Sequence, residues 1–240
     1  MKYSGEVIAS YVPENRAELL MDMFSGESVS YIVEHPYCAL KLATSRFFGI
    51  GNQSTGIWGS NNAQQVSSEL WLMYEPEDIR RKAWFRENED EGRVRRCISK
   101  PVVYYYGPVC DILVLYRKAD LFLINAEAKC RLGQESEAAR MIEDFRRARV
   151  PGYNTSVTGD ILAEVLKERR LELCFENGSR WLDMKRLGIS CTRSGFDKES
   201  SGTKEYTLDA NDYRYALPIP TDIELDYNDI SQNPGWTNFN

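Results

Sequence analysis

Apolar residues recur at helical spacing through the middle of the chain. Between 111 and 132 they stand three or four positions apart, at Ile112, Tyr116, Ala119, Leu123, Ala126 and Cys130. This periodicity predicts a helix over 111–132, which Gly133 ends. A second helix is predicted over 136–149, before Pro151-Gly152. Two such helices joined by a short turn favour an antiparallel hairpin of the tetratricopeptide type.

A third helix is predicted after this hairpin. Thr158 is placed to cap it, and Asp160 lies favourably against the positive end of its dipole. The helix is expected to end near Gly178, and a short helix that carries Trp181 and Asp183 is expected to follow. The sequence therefore predicts a mainly α fold.

The remaining stretches have weaker patterns. Residues 70–86 are predicted to be helical in part, with an interruption at Pro76. Glycine and asparagine are dense between 44 and 68, which favours turns. Residues 190–240 are expected to be rich in loops. These stretches add a loop-rich region to the helical hairpin, and a few short strands are expected elsewhere in the chain.

Carboxylates form one continuous row on the predicted third helix. Glu164, Glu168, Glu172 and Glu176 recur every fourth residue, and like charges at that spacing repel each other. Arginines, lysines and large apolar residues occupy the positions between them. Such a helix is expected to pair its charges with neighbouring elements while its apolar residues enter a core. We therefore predict a structural ion-pair network made of Glu168, Arg169, Glu172, Glu176, Arg180 and Asp183.

The same carboxylates admit a catalytic interpretation. Glycosidases use two carboxyl groups about 5–10 Å apart, and Glu168 and Glu172 would lie near that distance on one helix. The adjacent arginines and lysines, however, lower the pKa of a carboxyl group, which works against proton donation at neutral pH. The sequence thus predicts no catalytic residue, and a glycoside hydrolase that uses Glu168 or Glu172 is the alternative hypothesis.

Charge and composition exclude several classes of function. The net charge of -6 and the pI near 5.1 argue against nucleic-acid binding, which needs a basic surface. His35 is the single histidine, and the six cysteines lack the spacing of a metal site. Because a glycine-rich phosphate loop is also missing, neither a metal nor a cofactor is predicted. Cys130 and Cys174 stand at apolar helix positions and are expected to be buried free thiols.

Aromatic side chains give the clearest indication of a ligand. A carbohydrate site combines a tryptophan or tyrosine, which stacks on the apolar face of a sugar ring, with amides that bond its hydroxyl groups. Trp58 lies in a glycine-rich stretch with such amides close by. The alternative for Trp58 is to pack its own loop against the body of the protein. The predicted ligand contacts are Trp58, Gln53, Asn61, Asn62, Tyr31 and Trp71.

Four stretches, in order along the chain, resemble the SusD/RagB family of surface nutrient-binding lipoproteins of Bacteroidetes. The longest is ERRLELCFENGSRWLDMKR at 168–186, which departs from the family pattern by the inserted Asn177. That insertion is expected to change only the local turn. The others are LWLMYEPEDIRRKA at 70–83, YRKADLFLINAEAKCRLG at 116–133, and a tail with LPIP at 217–220 and QNPGW at 232–236.

The resemblance implies a SusD-like fold. It implies one C-terminal domain over 1–240, with a loop-rich ligand-side region at 1–110, a helical core at 111–188 and a loop-rich tail at 189–240. The family's N-terminal helical half and its lipoprotein signal have no counterpart in these residues. The chain is therefore expected to be the C-terminal portion of such a protein, or a short member of the family.

The same resemblance implies a function. Members of this family capture an oligosaccharide, or a peptide in some relatives, at the cell surface. They pass it to a SusC-like TonB-dependent transporter in the outer membrane. The chain would bind its ligand without breaking a bond, and a lipid anchor outside this chain would provide its membrane contact. A helical-hairpin scaffold that binds another protein is the third hypothesis.

Overall fold

A computed structural model of the chain describes seven segments, at 11–17, 38–45, 66–90, 93–98, 110–193, 206–219 and 231–236. The chain divides into two compact units, Met1–Asn177 and Gly178–Asn240. Helices make up most of the regular structure in the described segments, as the sequence predicts for a mainly α protein.

The first unit contains five helices and four strands among its described residues. In chain order they are β1 (Cys38–Ser45), α1 (Ser68–Met73), α2 (Ile79–Trp84), β2 (Phe85–Asp90), β3 (Arg93–Ile98), β4 (Cys110–Arg117), α3 (Lys118–Arg131), α4 (Glu135–Arg149) and α5 (Ile161–Glu172). The strands form two antiparallel pairs, β1 with β4 and β2 with β3.

The helical hairpin predicted from the sequence consists of α3 and α4. The two helices are joined at Gly133, whose φ of +76° is left-handed and therefore favours glycine. Ala126 and Ala138 are fully buried and allow close packing of the helices, and α5 packs against both of them. The resulting core consists of Ala119, Phe122, Leu123, Ala126, Cys130, Ala138, Ile142, Phe145, Val157, Ile161 and Val165.

A second core joins α1 and α2 to the end of α5. The interruption predicted at Pro76 is confirmed, because α1 ends at Met73 and α2 begins at Ile79. The phenolic oxygen of Tyr74 donates to the Leu171 carbonyl oxygen at 2.7 Å and so fixes this segment on α5. The members of this core are Val66, Leu70, Tyr74, Ala83, Trp84, Phe85, Leu171 and Cys174.

The prediction of one helix over 111–132 is wrong in its first part. Residues 110–117 form β4, which pairs antiparallel with β1, and α3 begins only at Lys118. The run Ile112-Leu113-Val114-Leu115 is continuously apolar. Such a run also suits a strand, and periodicity alone does not separate the two states. Pairing with the backbone of β1 decides between them.

Both ends of the third helix differ from the prediction. Asp160 caps α5, with Oδ1 accepting from the Ala163 N–H at 2.9 Å, so Thr158 is not the cap. The helix ends at Glu172 instead of near Gly178. Phe175 and Asn177 adopt left-handed backbone conformations, with φ of +60° and +43°, and the chain turns there.

The second unit begins with the predicted short helix. This is α6 (Ser179–Leu187), and it is followed by the paired strands β5 (Cys191–Arg193) and β6 (Tyr206–Leu208) and a 3-10 turn at Tyr213–Tyr215. The ring of Trp181 packs on that of Tyr215, with centroids 4.6 Å apart.

Side chains of the QNPGW stretch hold the tail against the LPIP stretch. Gln232 pairs with both the N–H and the carbonyl oxygen of Ile219, each at 2.8 Å. The indole N–H of Trp236 donates to the Ala216 carbonyl oxygen at 2.6 Å. Gly235 has a φ of +87°, and a Cβ there would lie 2.4 Å from the Tyr213 ring, so only glycine fits. The two tail motifs that resemble the family, LPIP and QNPGW, therefore have a packing role.

Two further findings concern thiols and membranes. Cys130 and Cys174 are buried and form no disulfide bond, as predicted. Within the described segments, no helix combines the length and the apolar character needed to cross a bilayer.

Candidate functional site

The row of glutamates runs from the surface into the interior of the first unit. The side chain of Glu164 is 32 % exposed, whereas Glu168 and Glu172 are 1 % and 0 % exposed. Glu176 follows the end of α5 and is also buried. Carboxylates are almost never buried to this degree unless they are paired, so their partners define the site.

Three arginines surround the carboxylate of Glu172. Arg117 Nη1 donates to Oε1 at 2.8 Å, and Arg149 donates through Nε to Oε2 at 3.0 Å and through Nη2 to Oε1 at 3.1 Å. Arg80 Nη1 adds a bond to Oε2 at 3.2 Å. These arginines come from the end of β4, the end of α4 and the start of α2. Glu172 thus joins three elements to α5.

Glu168 lies one turn earlier and shares one of these arginines. Its Oε1 is 2.7 Å from Arg80 Nη1, and its Oε2 accepts from Arg146 Nε at 2.8 Å. Arg146 also donates to Glu164 Oε2 at 2.7 Å, at the outer edge of the site. On its other side, Arg80 pairs with Asp78 at 2.7 Å.

Glu176 forms a two-bond contact with Arg117. The Nε–Oε2 and Nη2–Oε1 distances are 2.7 and 2.8 Å, which is the parallel geometry that a guanidinium offers to a carboxylate. Arg117 Nη2 also donates to the backbone carbonyl oxygen of Glu172 at 3.0 Å. We refer to the resulting group as the buried charge cluster, which consists of Asp78, Arg80, Arg117, Arg149, Glu168, Glu172 and Glu176.

The arginines keep the two central acids ionised. Burial raises the pKa of Glu172, but the charges of Arg149, Arg117 and Arg80 outweigh it and hold that pKa well below its ordinary value. Burial acts in the same direction on Glu168, and Arg80 and Arg146 again lower its pKa. A general acid requires a raised pKa and access to the substrate. Neither glutamate has a raised pKa or access to a substrate. The geometry is that of a structural ion-pair network.

The depressed pKa values predict a loss of stability in acid. A carboxyl group whose pKa is lower in the folded state stabilises the fold fully above its unfolded pKa. That contribution is lost as the pH falls through the folded value. We expect the urea midpoint to decrease below about pH 4.5, the ordinary value for both groups. A midpoint that stays constant from pH 6 to about pH 3 would contradict the ionised pairs.

The other three predicted network residues lie at different places. Arg169 pairs with Asp120 of α3 at 2.7 Å. Asp183 pairs with Arg186 at 2.7 Å within the second unit. Arg180 belongs to α6 and is partly exposed.

Of the predicted ligand contacts, Trp58, Gln53, Asn61, Asn62 and Tyr31 lie outside the described residues. Trp71 is described and is partly buried on α1. Its ring contacts Phe85 edge to face, with centroids 5.7 Å apart. The guanidinium carbons of Arg81 and Arg96 lie 4.3 and 4.7 Å from the centroid of the Trp71 ring. The surroundings of this tryptophan are therefore cationic and aromatic.

Sequence reasoning did not identify the arginines that bind the central glutamate. Arg149 carried a usable signal, because it continues the apolar spacing of Ile142 and Phe145 on the buried face of α4. A charged residue at such a position needs a buried partner. Arg80 and Arg117 stand at the start of a helix and the end of a strand. Neither position distinguishes them from solvated arginines.

Comparison with known proteins identifies the family. The model of the SusD family matches residues 110–236, which include α3 to α6 and the tail. A SusD-like protein of Formosa agariphila is 38 % identical over 84 residues, which are 31 % of this chain and 16 % of that protein.

Solved structures share the fold. A SusD superfamily protein from Bacteroides vulgatus superimposes with a TM-score of 0.72 at 24 % identity, over 97 % of this chain and 52 % of the other. A putative sugar binding protein from the same species gives 0.71 at 20 %, over 95 % and 52 %. Surface glycan-binding protein A from Bacteroides uniformis gives 0.65 at 20 %, over 97 % and 55 %. The chain spans about half the length of these structures, and it belongs to the SusD family.

Proposed function

We propose that this chain binds an oligosaccharide without catalysis and delivers it to a transporter. Two proteins of the same fold carry names that refer to sugar or glycan binding, the putative sugar binding protein and surface glycan-binding protein A. Their sequence identity to this chain is 20 %. They therefore support a saccharide as the class of ligand and do not indicate which saccharide.

The state of Glu168 and Glu172 is the observation that carries the proposal. Both are buried, ionised and bound to arginines, although they stand in the stretch that resembles the family signature. The signature acids therefore stabilise the fold. A glycoside hydrolase would need them in an open cleft with one pKa raised, and the alternative hypothesis loses its two proposed catalytic residues.

We assign ligand binding to the aromatic and amide residues of the glycine-rich stretch at 44–68. Trp58 would stack on a sugar ring while Gln53, Asn61 and Asn62 bond hydroxyl groups. Tyr31 would add a second aromatic contact. A peptide ligand would use the same aromatic surface with different hydrogen bonds.

The second step of the proposed function is delivery of the bound oligosaccharide. The resemblance to the family implies that the receiving partner would be a SusC-like TonB-dependent transporter. The site of action would be the outer surface of the outer membrane, and a lipid anchor in the full-length protein would hold it there.

Replacing Trp58 tests the ligand site directly. We expect Trp58→Ala to weaken glycan binding more than tenfold, because stacking on one aromatic ring contributes about 1.5 kcal/mol. The melting temperature should stay unchanged if the ring faces the ligand. Calorimetry against a glycan selected from an array of neutral and acidic oligosaccharides measures the affinity.

Two results would contradict this proposal. Unchanged affinity in Trp58→Ala, or a lower melting temperature without loss of affinity, would assign the ring to packing of its own loop. Turnover of a chromogenic glycoside by the unmodified chain would contradict the non-catalytic function. Trp181→Phe is the matched control, since that ring packs on Tyr215 and should not affect binding.

A further inference from the structure

Arg81 of α2 differs from the arginines of the buried charge cluster. It has no carboxylate partner among the residues that the structure describes. Its Nη2 donates to the Trp71 carbonyl oxygen at 3.3 Å, and its guanidinium carbon lies 4.3 Å from the centroid of the Trp71 ring. The Nε of Arg81 is buried and finds no acceptor within the described segments. A buried donor without a partner is costly, and no carboxylate of the described segments balances the charge of Arg81.

Arg96 of β3 brings a second cation to the same ring. Its guanidinium carbon lies 4.7 Å from the Trp71 centroid, so the two guanidinium carbons are within about 9 Å of each other. Arg96 Nε pairs with Glu87 at 2.7 Å, and the Val66 N–H donates to the Arg96 carbonyl oxygen at 2.8 Å. These contacts hold the second cation in place beside α1.

The neighbourhood of these cations is accessible to solvent. The side chains of Trp71, Arg81 and Arg96 are partly exposed, and the adjacent Leu72 is 77 % exposed. Two guanidinium groups lie against the Trp71 ring, and Phe85 packs on the same ring in an edge-to-face arrangement. Planar guanidinium groups held in this way suit carboxylate or sulfate oxygens, which accept two parallel hydrogen bonds.

We propose that Trp71, Arg81 and Arg96 form a subsite for the anionic group of an acidic saccharide. Arg81 makes the direct contact with the carboxylate or sulfate, and Trp71 positions both cations. The inference rests on the proposed function, because it names the chemical class of the oligosaccharide. It is separate from the contacts assigned to Trp58.

The test uses charged oligosaccharides and their uncharged counterparts. The chain is titrated by calorimetry with oligogalacturonate, with its methyl ester, with a sulfated galacto-oligosaccharide and with the unsulfated sugar. We expect at least one acidic probe to bind more than tenfold tighter than its neutral counterpart. The probe that does so distinguishes a carboxylate subsite from a sulfate subsite.

Variants then assign the charge recognition to Arg81. Arg81→Gln should weaken binding of the acidic probe at least tenfold and leave the neutral probe unaffected. Arg81→Lys should bind with intermediate affinity, because it keeps the charge and loses the planar geometry. Arg140→Gln removes the same charge from an exposed position on α4 and should bind as the unmodified chain does. Thermal unfolding verifies that each variant is folded.

Each possible outcome is decisive. Equal affinity for acidic and neutral probes, or an acidic-probe affinity that Arg81→Gln leaves unchanged, overturns the subsite. If neutral sugars bind in a manner that depends on Trp58 and acidic sugars have no advantage, the proposed function stands and this inference fails. If none of the four probes binds, this inference fails, and the oligosaccharide array decides separately whether the proposed function stands.

Discussion

Glu172→Gln is expected to destabilise the chain by about 3–5 kcal/mol, the cost of breaking a buried ion pair by removing one partner. Glutamine has nearly the shape of glutamate, so packing is preserved and only the charge is lost. Arg80, Arg117 and Arg149 are each at most 1 % exposed, and they would keep their charges without the central acid. Urea unfolding at pH 7 measures the change in free energy.

Glu164→Gln is the matched control on the same helix. Glu164 also pairs with an arginine, at 2.7 Å from Arg146, but its side chain is 32 % exposed. Solvent-exposed pairs contribute about 0–1 kcal/mol, so this variant should remain within that range. Equal losses from the two substitutions would show that burial does not determine the importance of these pairs.

Arg117→Met is expected to have an effect of similar size, about 3–5 kcal/mol. The substitution leaves Glu176 without its two-bond partner and removes one of the three arginines bound to Glu172. Arg117→Lys should recover part of the loss, because it restores the charge without the parallel hydrogen bonds. Urea unfolding again provides the measurement.

A control and a double variant make this prediction more specific. Arg147→Met removes an arginine whose side chain is 52 % exposed and should cost at most about 1 kcal/mol. The double variant combines Arg117→Met with Glu172→Gln. Its loss of unfolding free energy should be smaller than the sum of the two separate losses by about 1–3 kcal/mol. Strict additivity would mean that Arg117 and Glu172 act independently, contrary to their 2.8 Å contact.

The structural role of the signature acids explains why the family is recognisable and the ligand is not. Glu168, Glu172 and Glu176 hold α5 to α2, α4 and β4, so their pattern reports the packing of the helices. The QNPGW stretch likewise fixes the tail. Neither stretch contacts an open surface through these bonds. Under the proposed function, ligand specificity resides in other residues.

Local patterns in the sequence were sufficient for part of the fold. The apolar spacing of Ile142 and Phe145 and the glycine at 133 define α4 and the turn before it, and both were predicted. The first part of the 111–132 prediction failed, because the state of 110–117 depends on a partner strand at 38–45. Neither pattern nor propensity within the segment contains that information.

Only part of the site could be predicted from the sequence, because its remaining residues are distant from each other along the chain. The spacing of Glu168 and Glu172 showed that these acids form a row, and their neighbours in sequence suggested pairing. The arginines that bind Glu172 are 23, 55 and 92 residues away. Only the packing of α2, β4 and α4 around α5 brings them together. The left-handed turn at Phe175, which places Glu176 on Arg117, also had no local signal.

A titration of the Glu172 side chain by carbon-13 NMR would test the ion-pair network most directly. The carboxyl resonance is assigned by its loss in Glu172→Gln and is then followed from pH 7 into acid. The network predicts that Glu172 stays ionised well below the ordinary glutamate pKa of 4.5 until the chain unfolds. A midpoint at or above 4.5 in the folded chain would contradict the network and would make the catalytic interpretation tenable again.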